Sequence, residues 1–537
     1  MKNPRYFYYP IVMALLLIAG VYIGARMKTY DNYSRPLFSI KSPEFNKINE
    51  VLNYIQQEYV DTINNEQITD KAIRSIINNL DPHSGYISKS ELQAVNEPLE
   101  GNFDGIGVEF NILNDTIFVI TPIVGGPSEL LGILAGDKII KVDDKTVAGI
   151  KISNQEVFKR LRGKSGTKVK VSILRRGQKR LLDFTITRGK IPIYSVDVAY
   201  MLTDQTGLIK ISRFAGTTYK EFMQAAEKLN KIGMKNLILD LRGNPGGYLN
   251  EATAIADEFL EEGKPIVYTE GRSRPKEEYR ATSKGTFEQK NVIILVDEGS
   301  ASASEIVAGA LQDNDRGTII GRRTFGKGLV QEQSEFPDGS AIRLTIARYY
   351  TPTGRCIQKP YENGKTEDYY EDELLRYKHG EFSNADSIKL DKSQRFQTPK
   401  GKIVYGGGGI MPDVFIPLDT TGQSLLYTEF IYKGVINQFA IQYADKNRNI
   451  LKAYGSFVIF KEQFSISKQL LQDLFSFAQK EAGIKITGRD KEKILSEILI
   501  SNQLKASIAR MVWNNEGYYP IAFEKDKMIK KALETIR

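Results

Sequence analysis

A chain of 537 residues, 41% hydrophobic and 26% charged, is long enough for several folded domains with cores of their own. The formal net charge is +9, but no dense Lys/Arg stripe accompanies it, so nucleic acid is not an expected partner. One cysteine, Cys356, excludes an internal disulfide. With only two histidines, His83 and His379, it also leaves no ligands for a Cys/His zinc or iron–sulfur site, and no metal or cofactor is expected. His83 lies in a turn-like DPHSG and His379 in a polar insertion, so a serine enzyme built from this chain is expected to take its base from lysine.

The N-terminus reads as a targeting segment. Lys2 and Arg5 precede the apolar residues 11–25, and Arg26 and Lys28 follow them. Counted from Tyr6, the apolar stretch is about 20 residues, enough to span a bilayer. Without a convincing small-residue cleavage site, residues 1–29 are expected to be an uncleaved signal anchor, with a cleaved signal peptide as the alternative. The bulk of the chain would then lie outside the cytoplasm, in the cell envelope. Residues 30–98 hold a polar linker and two helices, with Phe45, Ile48, Leu52, Ile55 and Tyr59 at helical spacing and Ile73, Ile76, Ile77 and Leu80 in the second. Helices beside an anchor suit either homodimerisation or packing on their own domain.

Between residues 99 and 189 glycines and short β-type runs dominate. Gly105, Ile106, Gly107 and Val108 open a strand, GILAGDKIIKVDDK follows, residues 154–161 are helical, and residues 168–175 and 181–187 form a last hairpin around Arg176-Gly177. The GILAGDKIIKVDDK run resembles that of a PDZ domain of the bacterial, permuted kind. The Gly-Ile-Gly-Val segment resembles the loop that holds a peptide's terminal carboxylate. Successive free amides make an anion nest there, and the neighbouring strand edge accepts an added strand.

Residues 206–350 alternate strands and helices, which implies an α/β core with parallel pairing. A glycine loop, Arg242-Gly243-Asn244-Pro245-Gly246-Gly247, follows a buried strand, at the edge where open α/β sheets build sites. Gly246 and Gly247 can present backbone N–H groups without a Cβ in the way and are oxyanion-hole candidates. Residues 291–296 form an apolar strand leading to Ser300, Ser302 and Ser304 and then a helix over 305–312. A strand, a tight turn and a helix is how a nucleophile is exposed at a helix N-terminus. Ser302 and Glu305 also spell a capping box, so Ser302 is either a cap or a nucleophile whose neighbour Ala303 offers an amide to a developing oxyanion. Lys327 stands between Gly326 and Gly328, an odd place for a solvated charge. Serving as a base near neutral pH requires lowering its pKa by about 3 units, within the range of buried lysines. Gln331 would reach the amine in a helical turn but not along a fully extended strand, where four residues cover about 13 Å.

GSASASEIVAGALQD, TFGKGLVQ, DLRGNPGG, ARYYTPTGRCIQKPY, GGGGIMPDV and LDPHSGYIS together resemble the carboxyl-terminal processing proteases, the PDZ-containing S41 serine peptidases, over roughly residues 45–420. The resemblance implies a crotonase/ClpP-like α/β core, with Ser302 as nucleophile, Lys327 as base, Gln331 beside it, and Gly246 and Gly247 at the oxyanion. It also implies supporting roles for Glu305 and Thr324, and a place for Asp313 in a relay. Asp313, however, lies eleven residues along a helix from Ser302, about 16 Å.

The expected fold class is a multidomain α+β protein. It comprises the N-terminal helical pair, the PDZ domain at 99–189, a serine protease core at 190–420 with a surface insertion at 361–400, and a separate, mostly helical region at 421–537. The expected function is a membrane-anchored serine endopeptidase that takes the apolar C-terminal tails of exported proteins through the PDZ domain. A non-catalytic PDZ scaffold and an acyl-CoA enzyme are the rivals, and neither needs every one of these features.

Overall fold

The computed structural model describes residues 46–283 and 285–536, together with Met13 and Ala14. Those two apart, the expected anchor at 11–25 lies outside the described residues. Among the described residues no helix is long and apolar enough to cross a membrane.

Two compact units divide the chain at Thr69/Asp70. In the first, helix α1 (Lys47–Glu58) is started by the Asn46 side chain, which accepts the Asn49 N–H, and it buries no residue. Ile48, Val51 and Tyr54 are exposed on it. Helix α2 (Asn65–Asn78) runs through the division, and its buried residue, Ile77, belongs to the second unit.

In the second unit, β1 (Gly85–Ile87) leads to α3 (Lys89–Glu100), which ends on Gly101 in the left-handed conformation. Strand β2 (Asn102–Gly105) then enters a β-rich module comprising β3 (Val108–Leu113), β4 (Thr116–Pro122), β5 (Lys138–Val142), α4 (Asn154–Leu161), β6 (Lys168–Leu174) and β7 (Leu182–Thr187). The chain leaves through β8 (Gly189–Pro192), which pairs antiparallel with β2 and closes the module's neck. The strand order β3-β4-β5-β6-β7 leaves β3 on an edge. Alternating apolar residues such as Val169, Val171 and Ile173 fill the core beneath Val157 of α4.

The α/β core is built on a six-stranded sheet ordered β9 (Val196–Met201), β10 (Thr206–Ile211), β11 (Asn236–Asp240), β14 (Asn291–Val296), β15 (Thr318–Gly321) and β18 (Val414–Phe415). Only the β9/β10 pair is antiparallel. Helices α5 (Thr218–Lys231), α6 (Leu249–Asp257) and α7 (Ala303–Asp313) cover one face, burying Phe222, Phe259 and Val307 over Leu237, Leu239 and Ile294. A second sheet holds β1, β17 (Ala341–Tyr350), β12 (Pro265–Gly271) and β13 (Arg274–Arg280), with β16 (Leu329–Glu335) also paired to β17. The charged stretch 270–290 begins with this β12/β13 hairpin, and none of its described residues lines the site described below.

Two boundaries differ from expectation. The 361–400 insertion is not a loose surface loop: α8 (Thr366–Lys378) buries Tyr369 and Arg376. Arg376 donates to the carbonyls of Arg323 and Thr324 and, with Arg323, pairs with Glu381. Its polar composition concealed charges that are used internally. The C-terminal region is not one separate domain either. Helices α9 (Leu425–Tyr432) and α10 (Val435–Lys446) share a core with the first part of α11 (Asp490–Ala522), including Phe430, Leu504 and Ile508. Helix α11 breaks at Trp513 and Asn514, where Asn514 takes φ 52°. Beyond the break the chain returns to the α/β core. Helix α12 (Lys527–Ile536) lays Met528, Ile529 and Ala532 on the second face of the six-stranded sheet, against Ile238, Ile293, Leu295 and Ile320. Strands buried on both faces, as parallel sheets require, need that cover.

Candidate active site

A cavity of about 630 Å³ opens where the C-terminal end of the six-stranded sheet meets the second sheet. Gly246, Gly247, Ser302, Lys327, Gln331 and Tyr349 line it, with Leu99 of α3 and Leu249 of α6 among its apolar walls.

Ser302 ends the turn after β14 and caps α7 with φ 53° and ψ −114°. A non-glycine residue held there stores backbone strain, which an ordinary cap does not require. The capping box is nevertheless present, and Ser302 N–H donates to Glu305 Oε2 at 2.8 Å. Ala303, next in the chain, is buried. Among the described residues its N–H has no recorded acceptor.

Glu305 does more than close the box. The same carboxylate accepts Thr324 Oγ1–H at 2.5 Å and the N–H groups of Gly326 and Lys327, each at 2.8 Å. One buried carboxylate thus binds the serine turn to the lysine loop. Burial pushes it up to about 7, against the four donors that favour its charged form. Thr324 Oγ1 also accepts the Ile410 N–H at 2.6 Å, so its own proton is committed to Glu305. The Tyr349 hydroxyl adds a second tie, lying 3.1 Å from the Ser302 carbonyl oxygen and against that of Lys327.

Burial pushes the Lys327 ammonium down to about 8, aided by the Arg343 guanidinium and opposed by Asp81 and Glu305. Its Nζ donates to Gln331 Oε1 at 3.1 Å. Gln331 is in a strand, not a helical turn, but β16 begins only at Leu329 and its pairing with β17 shifts between Val330 and Gln331. The bulge and the glycine-flanked loop fold the lysine back toward the glutamine. Gln331 Nε2 donates in turn to the His83 carbonyl oxygen. The His83 ring is pushed down to about 3 by burial and by the facing Lys327 charge, so it is neutral, and it hydrogen-bonds the Tyr369 hydroxyl at 3.0 Å. Among the described residues no recorded hydrogen bond joins the Ser302 and Lys327 side chains. Such bonds commonly tighten only once substrate is bound.

The two glycines divide their work. Gly246 N–H donates to Asn244 Oδ1 at 2.9 Å, so it is not a free oxyanion donor as the sequence had suggested. Its part is closeness: a Cβ on Gly246, at φ 99°, would sit 2.7 Å from Ser302 Cβ and 2.9 Å from Ala303 N. Among the described residues Gly247 N–H has no recorded acceptor, because its bridge to Phe214 uses the flanking Gly246 carbonyl and Tyr248 amide instead. Arg242 anchors the loop between Asp240 at 2.7 Å and Asp526 at 2.6 Å.

Asp313 stands apart from this group. It forms a fully buried pair with Arg355 at 2.7 Å and accepts the Thr351 and Thr353 hydroxyls, which pins the turn after β17. It does not line the cavity. Sequence reasoning passed over Tyr349, Arg343 and the His83 carbonyl. Alternation along β17 places Ala341, Arg343, Thr345, Ala347 and Tyr349 on one face, which was the available signal.

In the β-rich module, Gly105 ends β2, Ile106 and Gly107 form the turn, and Val108 starts β3. Ser128 N–H and Oγ–H hold the Ile106 carbonyl at 3.1 and 2.6 Å. Among the described residues the Ile106 and Gly107 N–H groups have no recorded acceptor. Phe110 of β3 meets Phe158 of α4 edge-on at 5.5 Å beside this turn. Arg162, after α4, pairs with Glu97 of α3, the helix whose Asn96, Leu99 and Glu100 line the cavity.

Residues 205–370 match peptidase family S41, residues 105–186 a PDZ domain, and residues 426–514 a family of unknown function. The carboxy-terminal processing protease CtpA of Bacillus subtilis (strain 168) is 36% identical over 347 residues, covering 63% of this chain and 73% of that protein. A probable CtpA-like serine protease of Staphylococcus aureus (strain N315) is 38% identical over 350 residues, covering 65% of this chain and 68% of its own. Among solved structures, a photosystem II D1 C-terminal processing protease aligns at 27% identity over 69% of this chain and 86% of its own, with a TM-score of 0.36. With more than two thirds of such relatives covered at over 30% identity, the chain belongs to the S41 carboxy-terminal processing proteases, serine-type peptidases with a PDZ domain.

Proposed function

We propose that Ser302 and Lys327 form a catalytic dyad that cleaves the C-terminal tails of exported proteins. The observation that carries this reading is Glu305, whose one carboxylate fixes the serine turn and the lysine loop beside the same cavity. Neutral Lys327 takes the Ser302 hydroxyl proton as Oγ attacks the scissile carbonyl. The Ala303 and Gly247 amides receive the oxyanion. The lysine then passes its proton to the leaving amine, and an acyl-enzyme on Ser302 remains for water to hydrolyse, with Lys327 again as base. Gln331 orients the amine between these steps. No step calls for a metal or cofactor.

Substrate would arrive through the PDZ domain. The Ile106 and Gly107 amides suit a terminal carboxylate, and the β3 edge suits an added strand ending in an apolar side chain. The Arg162–Glu97 pair would report that occupancy to α3 and the cavity. The basic-flanked apolar residues 11–25 support an anchor in the membrane with the bulk in the envelope. Exposed Ile48, Val51 and Tyr54 on α1 support self-association there.

The test uses the full chain in detergent with a peptide ending in apolar residues, compared with Ser302→Ala and Lys327→Ala. Both variants should lose at least about a thousandfold in kcat. Turnover by either at the wild-type rate would sink the dyad. Amidating the peptide should raise KM, and an unchanged KM would remove carboxylate capture.

A further inference from the structure

Arg343 is the arginine that lines the catalytic cavity. Arg242, Arg322, Arg323, Arg355 and Arg376 each meet a carboxylate at 2.6 to 2.8 Å. Arg343 is half-buried in β17 and lines the catalytic cavity, yet among the described residues it has no carboxylate within ion-pair distance. Its recorded side-chain partner is a neutral one, Gln333 Oε1 at 2.9 Å, from the paired position on β16. A guanidinium carries five N–H donors in a rigid fork, and the bond to Gln333 uses one of them. The acids that do line the cavity stand elsewhere: Glu251 takes the Tyr219 N–H at 2.8 Å, and Glu100 ends α3. Burying a cation without its counter-charge is costly, and an internal acid would have removed the cost. Arg343 lines the same cavity as Ser302 and Lys327, so a carboxylate on a bound chain could reach it there.

We propose that Arg343 is a specificity-determining residue that pairs with a carboxylate carried by the substrate near its scissile bond. That carboxylate is an Asp or Glu side chain, or the terminal carboxylate of a short leaving segment. The proposal rests on cleavage occurring at Ser302 in this cavity. A bidentate fork on the substrate fixes the register of the threaded chain, which the apolar walls alone do not.

The experiment scans one peptide substrate of the full chain, placing Glu, Ala or Lys in turn at each of the three positions on either side of the cut. Each peptide is made as the free acid and as the amide. At one position the wild type should favour Glu over Lys by about tenfold to a hundredfold in kcat/KM, the size of a charge-assisted pair. Arg343→Gln should flatten that ratio and Arg343→Glu should invert it. If the terminal carboxylate is the partner, the acid-over-amide ratio is the one that collapses in Arg343→Gln. Because variants can fail to fold, the same peptides are also bound to Ser302→Ala protein with Arg343 intact, where Glu peptides should outcompete Lys peptides by a similar factor. Equal cleavage of all peptides, equal binding, or a preference that survives Arg343→Glu overturns the proposal. A wild type that cuts none of them, or Ser302→Ala protein that still cuts, overturns the dyad instead.

Discussion

Lys327 gives the sharpest test of the mechanism, because its proton is both the catalytic variable and a cost to folding. Its ammonium lies at about 8 rather than at the ordinary 10.5, chiefly through burial. That disfavours the charged form by about 3 kcal/mol. The neutral, active fraction is then about a tenth at pH 7 and about nine-tenths at pH 9, so kcat/KM should climb about tenfold between them. Below about 7, protonation of Glu305 should steepen the fall, since its protonated oxygen could no longer accept the donors that position both loops. For stability the sign is opposite to that of a salt-bridged lysine. The unfolded chain binds the proton that the folded chain refuses between about pH 8 and 10.5, so stability rises with pH across that window. Lys327→Met should therefore abolish cleavage yet raise the melting temperature at pH 7, by roughly 5 °C for a gain of about 2 kcal/mol. Stopped-assay pH profiles and calorimetry on the same preparations read both quantities. A rate flat from pH 7 to 9, a midpoint at 10 or above, or a Met variant that is both inactive and less stable would refute the reasoning.

The glycine loop and its tail anchor supply the remaining tests. Gly246→Ala puts a Cβ against Ser302 and Ala303 N and should cost at least about a hundredfold in kcat. Gly247→Ala, whose Cβ would lie 2.0 Å from the Phe214 carbonyl oxygen, should first cost stability, seen as a lower melting temperature. Equal melting temperatures for the two would contradict this division. Asp526→Ala leaves Arg242 with Asp240 alone and should lower kcat by up to about tenfold, along with a loss of about 1–3 kcal/mol in urea unfolding. No change in either would remove the tail from the account of the site.

Local chemistry was the most legible part of the sequence. The strand–turn–helix around Ser302 is spelled by consecutive residues, as is the Gly105–Val108 turn, and both stand where their motifs implied. Lys327 and Gln331 were legible as residues but not as a pair, because a bulge in β16 decides their contact and no residue type announces it. Gly246 misled for a similar reason: a free glycine amide and one spent on Asn244 Oδ1 have the same sequence. The insertion at 361–400 read as solvated because partners of its charged side chains lie far away in sequence, as when Arg376 reaches the Arg323 and Thr324 carbonyls. Composition reports charge but not the partner that makes it buriable.

The C-terminal region shows the same limit on a larger scale, and ion-pair exposure separates two of its attachments. At its far end Arg242 and Asp526 meet with side chains only 14% and 16% exposed, behind a helix that covers the sheet with Met528, Ile529 and Ala532. A pair so shielded, backed by apolar burial, is a fixed part of the protease. Between the helical module and the PDZ domain, Arg176 reaches the Asp445 carbonyl, and at the tail-facing strand Arg510 meets Glu109 at 3.0 Å with both side chains 37% exposed. Pairs of that kind contribute about 1 kcal/mol or less and weaken with salt. Glu109 is in β3, the strand whose open edge is the candidate seat for a substrate tail. The glycine loop beside Ser302 is therefore held by the end of the chain, whereas the tail-binding strand is only lightly held by the module before it. A tail adding to β3 would compete with a weak contact and leave the support of the catalytic loop in place.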